Sequence, residues 1–316
     1  MGRFIVRRII STVLVLVAIS MLTFAIFQVI PNGDPAQRLC GRLCTKENRE
    51  AVRKTWGFDK SVPVQYGKTM EKIFTGKVVS YTQRINVVDE IKRRLPITLS
   101  LAIGAGILWL ATGILFGLIS ALYAGGWVDR VLTVVALVGV SLPVFWLGAI
   151  TLYFLAFKAH IFPNGGYVGL TDNPASWFSH MILPWIVLSV LFIGFYSRVL
   201  RSTVLDTMGE DYVRTARAKG LSERRVLIRH VVRNSLIPIF SLWGLDFAAI
   251  MGGGAILTES AFSLPGVGQF AAQSIGRLDI PPVLCVVMFG AFFVVVFGAL
   301  VDVLYALLDP RIRLEG

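Results

Sequence analysis

Histidine, cysteine and charge are all scarce in this chain of 316 residues, and each shortage removes a class of function. The three histidines, His160, His180 and His230, are widely spaced and have no neighbouring nucleophile or carboxylate pattern, so no enzyme active site is legible. No G-x-x-x-x-G-K-[ST] stretch occurs, which excludes a phosphate-cradling loop of that kind. Energy for any active process must then come from another chain or from a gradient. Of the three cysteines, Cys40 and Cys44 lie four apart with no histidine or third cysteine beside them, a poor metal site. A local disulfide in an oxidising compartment and a pair of free thiols both stand as readings. Only 16% of the residues are charged while 55% are hydrophobic, the balance of an integral membrane protein.

What the chain does have is long apolar runs. A bilayer core needs roughly 20 apolar residues per helix, and six stretches meet that need: 9–30, 96–123, 131–157, 181–197, 237–257 and 283–308. The expected fold is therefore an all-α integral membrane protein of six transmembrane helices. It divides into residues 1–95, a transmembrane helix plus an outer loop, and 96–316, a five-helix core. The first run follows three arginines and shows no small-residue cleavage site before Pro31, so it reads as a retained helix and not a signal peptide. Lys and Arg number 15 on the side of the termini and 16 on the other, but 14 of those 16 fall in the single loop 31–95. A loop of that length is a poor topogenic signal. Discounting it leaves Lys158 and Arg277 against 15, which places both termini and the 198–236 loop in the cytoplasm. The formal net charge of +12 raises the question of nucleic acid, yet the basic residues lie beside the spans, where anionic lipid is the expected partner.

The 198–236 loop carries nine Lys or Arg against four Asp or Glu. Within it Tyr212, Ala216 and Gly220 recur at fourth positions, and Leu221, Val226, Ile228 and Val231 form a second apolar series. The pattern predicts a short helix, a turn with Gly220 at C′, and a second short helix with Ser222 as N-cap. A mere connection between spans needs only a few residues, so an ordered pair suggests a docking surface. Ala216 would let the helix approach a partner, Gly220 would make the turn, Leu221 would be an apolar knob, and Arg217 and Glu223 would pair at the rim.

These residues carry a resemblance. Arg214, Thr215, Ala216 and, after three residues, Gly220 resemble the E-A-A-x-x-x-G loop of bacterial ABC importer permeases, with Arg214 in place of Glu. The words T-A-R-A-K-G-L and R-N-S-L-I-P narrow the likeness to the dipeptide, oligopeptide and nickel permease family, in its first-permease branch. V-R-R at 6–8, G-D-P-A at 33–36, F-x-L-P-G-V-G at 262–268 and L-D-P-R-I-R at 308–313 extend it along the whole chain, while the family's usual G-D-x-G is here G-K-V-V-S-Y from Gly76. The resemblance implies a type I importer permease with a cytoplasmic coupling-helix loop in a bacterial inner membrane. It implies a second, homologous permease subunit, two ATPase subunits holding ATP and Mg, and an extracytoplasmic binding protein, with no cofactor in this chain.

Within the spans, Asp246 is the one clear deep carboxylate. It lines a translocation cavity or bonds to a neighbouring helix, and both readings stand. Gly252, Gly253 and Gly254 permit close helix contact or local unwinding, and Gly104, Gly106, Gly113 and Gly117 suggest close packing of the second span. Asp302 and Asp309, with Arg311 and Arg313, suggest an anchor at the end of the last span. Pro143 and Pro184 are expected to bend their helices. Trp177 and Trp185 fit an interfacial belt, the apolar 258–282 segment is expected to pack on the outer mouth or face a binding protein, and loop 31–95, with Trp56, Phe58, Tyr66 and Phe74, is large enough for a small helical cap. The competing functions are an ATP-independent secondary transporter, which calls for paired charges in the spans or an inverted repeat, and a membrane scaffold that docks a soluble protein.

Overall fold

The computed structural model describes residues 2–29, 35–40 and 44–308. Gly33, Asp34, Asp309, Arg311 and Arg313 lie outside these residues. The first span is α1 (Gly2–Phe24), continued by a π turn at Ala25–Val29. Three short helices follow as a cap: α2 (Pro35–Cys40), α3 (Lys46–Trp56) and α4 (Val62–Phe74). The Thr45 hydroxyl caps α3 by accepting from the Asn48 N–H at 3.2 Å. The cap rests on α1 through Tyr66, which packs edge-on against Phe24 and shares a 2.6 Å hydrogen bond with Ser20.

The long second helix, α5 (Val87–Leu122), starts nine residues before Pro96, because Asn86 caps it through the Val88 and Asp89 N–H groups. At 1.5 Å per residue it is about 54 Å long and extends well past a ~30 Å hydrocarbon core. The third span is broken. Helix α6 (Trp127–Ser141) meets α7 (Val144–Thr151), with its π extension Leu152–Lys158, at 99°. Pro143 stands at the break in extended conformation, since its ring cannot continue the preceding helix. The fourth helix, α8 (Pro174–Met208), is twice the expected span and runs through Pro184 without a break. After α9 (Asp211–Ala218), the segments α10 (Glu223–Val226), a π turn at Leu227–Val232, α11 (Arg233–Ala249) and a π turn at Ile250–Gly254 follow one another as one helical stretch, kinked at Gly253. Helices α12 (Ile256–Ala261), α13 (Val267–Gly276) and α14 (Ile280–Leu308) are the last among the described residues.

Among the described residues, five helices are long and apolar enough to cross a membrane, and the bent α6/α7 pair makes a sixth if it counts as one broken span. The expected loop 198–236 is thus mostly helix: its start belongs to α8 and its end leads into α11. The cause is local. Val226 and Val231 are buried on either side of the π turn, and Val231, Ser235 and Ile239 continue one buried face at fourth positions into the next span, while Arg233 and Asn234 fall on the exposed face.

The core is the seam between α5 and α8. A β-carbon at Gly117 would lie 2.7 Å from the Ser197 carbonyl oxygen, and one at Gly113 would lie 2.8 Å from Tyr196 Cβ, so only glycine allows this approach. Trp185, expected in an interfacial belt, is instead buried against Gly104 and donates to the Ser100 carbonyl at 2.9 Å. Trp243 ties α11 to α5 through the Gly106 carbonyl at 3.0 Å. By contrast, Val131, Val134, Val135 and Val138 of α6 are all half exposed or more, a surface that suits lipid or an apolar partner and not water.

Candidate functional site

At one end of the bundle, α9 and the turn after it stand out from the rods. Lys219 closes α9, and Gly220 follows with φ +76°, in the left-handed region that glycine enters without a Cβ penalty. Its N–H donates to the Arg217 carbonyl at 2.9 Å, and the Leu221 N–H reaches back to the Ala216 carbonyl at 3.4 Å, the paired bonds of a Schellman motif. Ser222 stands at the N-cap position of α10, but its side chain makes no capping bond. Arg217 and Glu223 pair across the turn at 3.0 Å. Arg214 and Thr215 are exposed, and Leu221 is partly buried against the core.

Ala216 does not face outward. It is 6% exposed and belongs, with Val213, to the core that includes Val204 of α8 and Val226 and Val231 of the following rod. Its small side chain brings α9 close to its own chain, which corrects the expectation that it meets a partner. Helical geometry decides this: Val213 and Ala216, three apart, share the face that packs inward, leaving Arg214, Thr215 and Ala218 on the other. The Tyr212 hydroxyl braces the same face, accepting from Asn234 Nδ2 at 2.8 Å.

An ion pair near this end, between a buried carboxylate and a partly exposed arginine, has little signature in the sequence. Arg201 of α8 grips Asp129 of α6 with two 2.7 Å bonds, while Ser120 of α5 donates to the same carboxylate at 2.5 Å and the Gly125 N–H at 2.8 Å. Three rods are locked together there. The only signal was an acid beside an arginine in G-G-W-V-D-R, which also reads as a solvated turn.

Deeper in the bundle, Asp246 of α11 accepts a 2.7 Å hydrogen bond from Tyr196 of α8, a link between neighbouring helices. Gly252 lies against α14, where a β-carbon at Gly290 would meet the Gly252 carbonyl oxygen at 2.5 Å. Gly253 adopts φ +125° and interrupts the helix.

At the opposite end the 258–282 segment folds inward. Phe262, Leu264 and Phe270 are each at most 1% exposed. Glu259 is fully buried. Its carboxylate accepts from the Thr98 hydroxyl at 2.6 Å and from the Gln269 N–H, at the start of α13, at 2.8 Å. A β-carbon at Gly266 would collide with this carboxylate, and one at Gly268 would lie 2.9 Å from Ile256 Cγ1 and 3.0 Å from the carboxylate, which accounts for the glycines of F-x-L-P-G-V-G. Burial pushes the Glu259 carboxyl above its ordinary range against these donors. Asp279, also fully buried, accepts from the hydroxyls of Ser80 and Thr82 and from the N–H groups of Tyr81 and Thr82. The G-K-V-V-S-Y stretch is thereby fastened to the head of α14. Cys40 and Cys44 are disulfide-bonded in the cap, and Cys285 is buried in α14. Among the described residues no group of three His, Cys, Asp or Glu is placed to hold a metal.

The chain matches the family described as "Binding-protein-dependent transport system inner membrane component" over residues 113–314, and that family's N-terminal component over residues 1–102. It is 35% identical over 314 residues to the probable peptide ABC transporter permease protein y4tP of Sinorhizobium fredii, covering 99% of this chain and all of that one. It is 35% identical to the dipeptide transport system permease protein DppB of Escherichia coli, with 99% of each chain covered, and 34% identical to the oligopeptide transport system permease protein AppB of Bacillus subtilis, covering 99% and 100%. A chain of the inward-facing MetNI methionine ABC transporter shares the fold, with TM-score 0.52 and 15% identity over 69% of this chain and 96% of that one. With both components matched and relatives aligned end to end, this chain belongs to the binding-protein-dependent transport system inner membrane component family, the membrane-spanning permeases of ABC importers.

Proposed function

We propose that this chain is one of two homologous, distinct permease subunits of an ATP-driven importer for dipeptides, oligopeptides or a related small substrate delivered by an extracytoplasmic binding protein. ATP and Mg act in two partner ATPase subunits, and both termini and α9 lie on the cytoplasmic side. The observation that carries this reading is the way α9 is mounted. Its exposed face, Arg214, Thr215 and the Gly220 turn, is free to enter a groove of an ATPase, while Val213 and Ala216 fix its other face to α8 and the rod that becomes α11. A push on α9 is then a push on two spans, and the Asp129–Arg201 clamp passes it to α6.

Those spans carry Tyr196 and Asp246, so their displacement moves this hydrogen-bonded carboxylate. We assign Asp246, Gly252 and Gly253 to the moving wall of the pathway, where the carboxylate favours an amine-bearing substrate and the Gly253 break lets the rod flex. The test is uptake of a labelled dipeptide into proteoliposomes holding the full assembly. Gly220→Val is expected to insert and assemble yet fail to transport; transport at the wild-type rate would remove α9 from the coupling path.

A further inference from the structure

The cap holds a cavity of about 180 Å³ that reaches the head of α14 and has no part in the pathway described above. Its wall contains three lysines, Lys68, Lys72 and Lys77, and no carboxylate. Lys68 and Lys72 stand one turn apart on α4. Lys77 is brought beside them by the Gly76 turn (φ +68°), where its N–H donates to the Lys72 carbonyl at 2.9 Å. None of the three has a carboxylate partner among the described residues. Three like charges gathered on one wall repel one another, and an anion seated between them relieves that repulsion.

The rest of the wall is of a different character. Phe58 and Tyr81 meet edge to face with ring centroids 5.8 Å apart, and Val78, Val79 and Pro281 extend the apolar side. A wall with cations on one side and aromatic and aliphatic groups on the other suits a ligand with one charged end and an apolar body, and suits a bare inorganic anion or a purely apolar molecule poorly. Tyr81 is held by its backbone to Asp279, and Pro281 belongs to the first turn of α14, so a ligand here touches both the cap and the last span.

We propose that this cavity binds a small organic carboxylate, its charge held by Lys68, Lys72 and Lys77 and its apolar body lying against Phe58 and Tyr81. The proposal is independent of what the spans transport. It is tested with the full-length chain in phosphatidylcholine nanodiscs, by titration calorimetry with N-acetyl-phenylalanine, N-acetyl-phenylalanine amide and inorganic phosphate. The carboxylate binds saturably, and the amide and phosphate each bind about tenfold more weakly or not at all. The double variant Lys68→Ala/Lys72→Ala, on exposed side chains whose loss leaves the fold intact, weakens the carboxylate at least about tenfold, whereas Lys60→Ala, outside the cavity, leaves it unchanged. Absence of saturable binding, equal binding of the amide, equal binding of phosphate, or an unchanged double variant overturns the proposal. So does loss of binding in nanodiscs that contain phosphatidylglycerol, since the lysines would then be a patch for lipid headgroups.

Discussion

The two ends of the bundle solve opposite problems. At the cap end, Glu259 and Asp279 are buried to 0% exposure, and each accepts hydrogen bonds from segments far away in sequence. At the other end, α9 and its turn show mostly exposed basic and small residues, held to the bundle by apolar contacts and one tyrosine. A buried carboxylate that satisfies several donors fixes geometry because any slip orphans those donors. Exposed charges on a rigid mount fix little by themselves and leave the surface available to a partner. One end is framed, and the other is presented.

If the cap end is a frame, the largest effect falls there. Asp279→Ala leaves the donors at Ser80, Tyr81 and Thr82 without their shared acceptor and is expected to destabilise the chain by about 3 kcal/mol, read as a lower midpoint in thermal unfolding of detergent-solubilised protein. A midpoint equal to wild type would reduce the frame to surface contact. Arg201→Ala comes next. It leaves Asp129 buried without its partner at a cost of about 2 kcal/mol or more, and in the assembled importer it should uncouple α6, lowering uptake more than ATP hydrolysis.

Glu259 sharpens the comparison through pH. Its carboxyl is raised in the folded chain by burial, so between the ordinary carboxylate value and that raised value the folded state keeps a proton that the unfolded state has released. Stability contributed by this group is therefore full at low pH and is lost as pH rises through that window. Glu259→Gln carries no such proton. The wild-type midpoint, measured relative to that of the variant, should fall as pH climbs above the ordinary carboxylate value of about 4; parallel curves would show that the site keeps an ordinary carboxylate. The smallest effect belongs to the presented end. Arg217→Ala breaks an exposed pair worth about 1 kcal/mol at most, and the unfolding midpoint should barely move.

The apolar runs made the helices legible, and Gly220 was found at the C′ position that its spacing called for. What the runs could not show was where a helix ends once it leaves the membrane. Asn86 and Asn173 act as caps well before the apolar stretches begin, and Val226 and Val231 carry the fifth helix back into what reads as a loop. The fastenings were hidden for another reason. Thr98 and Glu259 are 161 residues apart, and Asp129 and Arg201 are 72 apart. Neither pair has any local periodicity to betray it. Ala216 reads from the sequence as a small residue at a close approach, but a sequence does not say against which surface that smallness is used.

The most direct test of the coupling reading is ATP hydrolysis by the purified assembly of both permeases and both ATPases, with binding protein and substrate added, compared between wild type and Gly220→Val. A β-carbon at Gly220 meets nothing within 4 Å, so the change strains only the turn, by about 1–2 kcal/mol, and leaves the bundle intact. The account predicts an assembly that co-purifies but has lost the stimulation of hydrolysis by substrate. Wild-type stimulation together with wild-type uptake would contradict it.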